Sequence, residues 1–234
     1  MKRSLVVTAA VSMILALTLT SCSTLLRTSS RRNSRDDDDD EEESDYISEF
    51  LDFCEDDLDA AIVRQKKYYG IMRGTTSSSD IDNGMASRLD EDTAMDLIFA
   101  NGRTRGDRPV PDGFEQAGAY TKITDDGYGL MTATLIEFED EDDAFEFLDT
   151  AADFYSDIAS GDAFNCSYVE QDDLVVATTM PYGTTYSEIA FFAKDNYVLM
   201  IANAYDSNTF YAFEETDEIA DFFGFDAPSS YKPE

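Results

Sequence analysis

Residues 117–158 read AGAYTKITDDGYGLMTATLIEFEDEDDAFEFLDTAADFYSDI, and this stretch decides the fold class. Ala117 to Ile123 and Tyr128 to Phe138 carry the β-branched and aromatic residues of strands, and Asp125-Asp126-Gly127 between them is turn chemistry. In the second strand Leu130, Thr132, Thr134 and Ile136 point one way. Met131, Ala133, Leu135 and Glu137 point the other way, because strand side chains alternate. The period then changes. Ala144, Phe147, Leu148, Ala151, Phe154, Tyr155 and Ile158 recur at three- and four-residue steps, the stripe of an amphipathic helix over 140–158. Gly161-Asp162 ends it. A tight hairpin followed directly by such a helix packs as sheet and covering layer.

Downstream, Leu174 to Thr179 reads as a strand, with Pro181 to Gly183 as a turn. Glu188 to Ala193 and Tyr197 to Ala204 form a second hairpin, joined at Lys194-Asp195-Asn196. Phe210 to Phe223 is a final helix closed by Gly224. Upstream, Ile47, Phe50, Leu51, Cys54, Leu58, Ala61 and Ile62 share one helical face over 46–67, with Ser44 or Asp45 as cap. Ala94 to Ala100 is a brief helix, Arg103 to Gly113 is a loop, and residues 70–93 show no consistent period. These elements predict an α+β fold: an antiparallel sheet of about five strands with helices packed on one face, compatible with a ferredoxin-like element in part. Residues 46–234 form one domain in this reading.

The chain carries 50 acidic against 17 basic residues and no histidine. So acidic a surface repels nucleic acid, which is excluded as a partner. Lacking histidine, the chain has no Ser-His-Asp triad and no histidine metal site. No phosphate loop, zinc spacing or nucleotide fingerprint occurs, so no cofactor is expected.

The N-terminus has its own order. Lys2 and Arg3 precede an apolar run from Leu5 to Leu19, then Leu19-Thr20-Ser21-Cys22. The run is short for a membrane span and fits the apolar core of a signal peptide. Residues 19–22 resemble the lipobox of bacterial lipoproteins. That resemblance implies diacylglycerol on the thiol of Cys22, cleavage before it, and a membrane partner reached through the lipid anchor. It also implies an extracytoplasmic location, on the outer membrane if the cell has two membranes, since Ser23 is not the retention aspartate. Residues 1–21 are then the signal peptide. Residues 22–45 are a tether, rich in Ser and Arg up to Arg35 and acidic from Asp36 to Glu43. Neither half has the apolar periodicity that would repay ordering.

Candidate chemistry is sparse. Cys54 and Cys166 either bridge the first helix to the sheet or remain buried free thiols; export permits a disulfide. Carboxylates at Glu137–Asp143 and Asp172-Asp173 read as turns and helix starts. A carboxylate-dependent glycan enzyme is therefore an alternative, not the leading reading. Asp125-Asp126-Gly127 lacks the following ligands of a calcium loop. Tyr182, Tyr186, Phe191, Phe192, Tyr197, Tyr205, Phe210, Tyr211 and Phe213 crowd the C-terminal third, either as packing or as a face for a ligand or an envelope protein. Arg103, Arg105 and Arg108 make a local basic loop. The expectation is a tethered, non-catalytic binding or accessory domain; a surface-coating protein is a further alternative.

Overall fold

The computed structural model describes residues 45–73, 84–99, 111–123, 129–159, 165–180, 185–206 and 214–231. In chain order the elements are α1 (Tyr46–Asp56), β1 (Ala61–Ile62), α2 (Gln65–Met72), β2 (Met85–Leu89), α3 (Glu91–Ile98), β3 (Phe114–Ile123), β4 (Gly129–Phe138), α4 (Glu141–Ala159), β5 (Asn165–Gln171), β6 (Leu174–Met180), β7 (Thr185–Lys194), β8 (Tyr197–Asp206) and α5 (Glu214–Phe223). The strands form one eight-stranded sheet in the order β1-β2-β3-β4-β8-β7-β6-β5. Only β1 and β2 are parallel neighbours; every other pair is antiparallel.

The α+β class holds, but the five-stranded, one-faced arrangement is overturned. Three strands were illegible for separate reasons. β1 is a two-residue edge strand. β2, Met-Ala-Ser-Arg-Leu, is buried at four of five positions and shows no alternation. β5, Asn-Cys-Ser-Tyr-Val-Glu-Gln, is a polar edge strand. No ferredoxin-like element forms either: β4 leads through α4 to β5 at the far edge, with β8, β7 and β6 between them.

Helices cover both faces. The first core gathers α2, α3 and α4 over Met85, Ala119, Leu130, Ile136, Phe191, Val198 and Met200. The second gathers α1 and α5 over Tyr120, Met131, Ala133, Leu135, Phe192, Leu199 and Ile201. β4 shows why: both alternating sets of its side chains are buried, so both sides of the strand need cover.

The first helix ends earlier than its apolar period implied. α1 stops at Asp56, Asp59 takes a left-handed φ of 52°, and the chain turns into β1. Ala61 and Ile62, which continued the helical spacing, sit exposed on the sheet edge. α1 seats close to β3 because residue 118 is glycine; a Cβ there would lie 3.2 Å from Ile47 and 3.3 Å from Phe50. α5 closes as expected. Gly224 has φ +93°, its N–H bonds to the carbonyl of Asp221, and the N–H of Phe225 bonds to that of Ala220. That pairing satisfies the last carbonyls of the helix.

Candidate functional site

α1 begins and α5 ends at the same end of the second face. Their junction with the β7–β8 hairpin leaves an open cleft of about 230 Å³ lined by Tyr46, Lys194, Asp195, Tyr197 and Phe223. Three of the five wall residues are aromatic. The Tyr46 ring stacks on Phe222 at 5.3 Å and meets Tyr197 edge-on at 5.1 Å. Both phenol hydroxyls are engaged: Tyr46 donates to the carbonyl of Phe222 at 3.3 Å and Tyr197 to Glu137 Oε1 at 3.2 Å. The polar tips are thus used within the protein, and since Phe223 is fully buried, ring surface reaches the cleft only from the half-buried Tyr46 and Tyr197.

The hairpin tip is pinned. Asn196 Nδ2 donates to the carbonyl of Phe138 at 2.8 Å, and the Phe138 N–H returns a bond to the Asn196 carbonyl at 2.8 Å. Asp195 takes a left-handed φ of 51°, a conformation in which Asp is enriched. Lys194 Nζ reaches back to the carbonyl of Phe223 at 3.4 Å and lies 5.9 Å from the Phe223 ring centre. A lysine there complements the negative end of α5.

A polar row flanks the cleft. Arg88, Gln116, Glu137 and Tyr197 stand on β2, β3, β4 and β8, with Glu137 opposite Tyr197 and Gln116 in register. Asp45, the N-cap of α1, gathers them. It accepts from the Ser48 N–H at 3.1 Å, from Arg88 at 2.5 Å and from Gln116 Nε2 at 3.1 Å. Gln116 Nε2 also donates to Glu137 Oε2 at 2.5 Å, and Arg88 bonds Ser48 and the Gln116 carbonyl oxygen. Partial burial pushes the Asp45 carboxyl up, but the bonds from Ser48 and Arg88 outweigh it and hold the group at about 2. Tyr46 moves the other way: burial, then the carboxylates of Glu49 and Asp195, push its phenol up.

At the other end of α5, Lys122 pairs with Glu215. Thr216 donates to Asn203 at 3.3 Å. Burial pushes the Glu188 carboxyl up there, against a hydrogen bond with Asn203.

The remaining sequence-stated residues fall as follows. Cys54 is a free thiol, fully buried under α1. Burial pushes its pKa up, so it is unreactive. α1 packs over β1 to β4, whereas Cys166 lies on β5 at the far edge, five strand positions from β3. At about 4.8 Å per strand that is roughly 24 Å, beyond the reach of a disulfide, so the bridge between them is not formed. Phe191 and Phe192 belong to the two cores. Tyr186 and Tyr205 pair in register on β7 and β8. Asp140 caps α4 through the Asp143 N–H, and Asp172-Asp173 is the β5–β6 turn. Cys22, Arg103, Arg105, Arg108, Asp125-Asp126-Gly127, Tyr182, Phe210, Tyr211 and Phe213 lie outside the described residues. Tyr46, Lys194 and Asp195 were not singled out from sequence as site residues. The only signal was the strong hairpin turn, and it carried no hint that both helix ends would meet it.

Among the described residues no group of three or more Cys, Asp or Glu side chains is placed to hold a metal ion, and no helix is long and apolar enough to cross a membrane. No family model matches the chain, and no curated protein matches it. Among solved structures, the extracellular domain of PknH from Mycobacterium tuberculosis is similar at 14% identity and a TM-score of 0.36. The match covers 47% of this chain and 62% of that one.

Proposed function

We propose that the protein is a membrane-tethered extracytoplasmic lipoprotein whose domain binds a small ligand without catalysis. The observation that carries the binding half is the cleft at the α1–α5 junction, with its aromatic wall and pinned hairpin tip. A small number of fixed polar groups on an aromatic lining is what ligand sites are made of. At about 230 Å³ the cleft is smaller than the 300–1,000 Å³ of drug-sized sites, so its ligand is small. The tether half stands on residues 1–22, whose order of basic, apolar and small residues before Cys22 resembles a lipobox. Asp45 is 23 residues beyond Cys22, which gives the tether a reach of at most roughly 80 Å.

Two measurements test this reading. Membrane fractionation with an assay for processing compares wild type with Cys22→Ala: the variant is left unprocessed, keeping its leader and carrying no lipid. A processed, membrane-bound Cys22→Ala product would contradict the anchor. Thermal shift against a small-metabolite panel then compares wild type with Tyr197→Ala. Ligands that raise the wild-type midpoint lose that effect in the variant; ligands acting equally on both would place binding elsewhere.

A further inference from the structure

We infer that the β1 edge of the domain, residues 61–67, rests on the anionic headgroups of the membrane that holds the tether. The inference depends on the anchor proposed above and orients the domain on it. Residues 61–67 read Ala-Ile-Val-Arg-Gln-Lys-Lys. Ile62 is 46% exposed, the one large apolar side chain left open among the described residues. It stands on the outermost strand, paired with Ala86 of β2. Three cations follow it: Arg64 and Lys66 are exposed, Lys67 is half-buried, and none forms an ion pair among the described residues. The other described cations are engaged, Arg73 with Asp96, Arg88 with Asp45, Lys122 with Glu215 and Lys194 with the Phe223 carbonyl.

The three cations occupy the cap and first turn of α2, where the helix end is positive and acids are favourable. α1, α3 and α4 follow that rule with acids in their first turns, whereas α2 has none and Arg64 provides no side-chain cap. Helix stability therefore does not account for these residues. Cations beside one open isoleucine match an anionic lipid surface, where headgroups take the charges and the isoleucine enters the acyl boundary. A nucleic acid or an acidic peptide would leave Ile62 without a use. The tether joins the domain at this same edge: Asp45 bonds Arg88 on β2 and Gln116 on β3, and β2 is the neighbour of β1. The opposite edge, β5, lies seven strand steps away, roughly 34 Å. At a screening length of about 8 Å in physiological salt, acids that far off do not offset the local cations.

The chain has no tryptophan, so Ile62→Trp makes a single fluorescent reporter and keeps a large apolar residue at the edge. Asp172→Trp, in the exposed β5–β6 turn, is the control at the opposite edge. Each protein is purified in lipidated form from bacterial membranes and reconstituted into vesicles of brominated phosphatidylcholine, with or without phosphatidylglycerol. Ile62→Trp emission is expected to be blue-shifted and quenched when phosphatidylglycerol is present and far less so without it, with Asp172→Trp unquenched in both. Each cation near an anionic surface favours contact about fivefold, so Arg64→Gln, Lys66→Gln and Lys67→Gln together weaken it about a hundredfold and abolish the quenching. Unquenched Ile62→Trp emission in protein that floats with the vesicles would overturn the docking and leave the anchor standing. Protein that does not float with them would overturn the anchor and the docking with it. Equal quenching of both reporters would overturn the choice of edge, and quenching that survives the triple substitution would overturn the role of the cations. Quenching that appears only after the acids of residues 36–43 are changed to their amides would give the cations to the tether and overturn the membrane as their partner.

Discussion

The two faces of the sheet are closed in different ways. On the first face one long helix, α4, spans from β4 to β5 and contacts every strand between. Its lining includes a buried hydroxyl chain: Tyr68 bonds Thr121 at 2.5 Å and Thr121 bonds Thr132 at 3.2 Å. On the second face two short helices from opposite ends of the domain share the cover, and they meet over the β7–β8 hairpin. Over β4 to β5 the single helix α4 seals the first face, with α2 and α3 covering the rest. Two helix ends meeting at a hairpin leave a gap with a helix terminus exposed to it. The cleft is therefore a consequence of how the second face is closed, and the chemistry of the molecule collects where its cover is divided.

The largest expected effect tests whether both faces are true cores. Phe147→Ala removes a buried ring from the first and Phe192→Ala one from the second; each is expected to cost about 3–5 kcal/mol by denaturant unfolding. A loss under about 1 kcal/mol at Phe192 would mean that α1 and α5 do not seal the second face.

A smaller pair sharpens the account of the first face. Thr121→Val leaves the fully buried Tyr68 hydroxyl without its partner, at a cost of about 1–3 kcal/mol. Thr134 stands on the same side of β4, and its hydroxyl is buried with no hydrogen-bond partner. Thr134→Val removes that orphan at equal shape and is expected to raise stability by about 1 kcal/mol. A gain at Thr121→Val would break the assignment of that hydroxyl chain; a loss at Thr134→Val would mean that its hydroxyl is not an orphan.

The smallest effect belongs to the cleft end of the second face. Asp45→Ala loses the α1 cap and the partner of Arg88, for about 1 kcal/mol. The folded value of Asp45, about 2, lies below the usual ~3.9 of an unfolded chain. Its contribution is thus fully present above about pH 4 and lost as pH falls through 2. Wild type and Asp45→Ala should accordingly converge in midpoint at the acid end of a pH series. A gap that persists below pH 2 would assign the effect to something other than the carboxylate.

The same contrast explains what could be read from the sequence. α4 and both hairpins were legible because their signals are local: a clean stripe, a turn, an alternation. The double-sided burial of β4 was written in its residues too, since Met131, Ala133 and Leu135 are as apolar or small as the set facing the other way. It is the assumption of one covered face that fails. β1 and β5 escaped notice because edge strands need no apolar pattern. β2 escaped because a five-residue strand buried at four of its positions shows no period. The α1–α5 meeting was beyond reach for a deeper reason. It joins residues 46 and 222, linked by a hydrogen bond across 176 positions, and no local period encodes such a distance. Of the cleft, only Tyr197 was named, and only as one aromatic among many.

The most direct test of the divided-cover account is residue-resolved hydrogen exchange of the full chain. The account predicts faster exchange at the start of α1, the 194–197 hairpin tip and the end of α5 than in the middle of α4 on the opposite face. Equal protection at both, or faster exchange in the middle of α4, would contradict it.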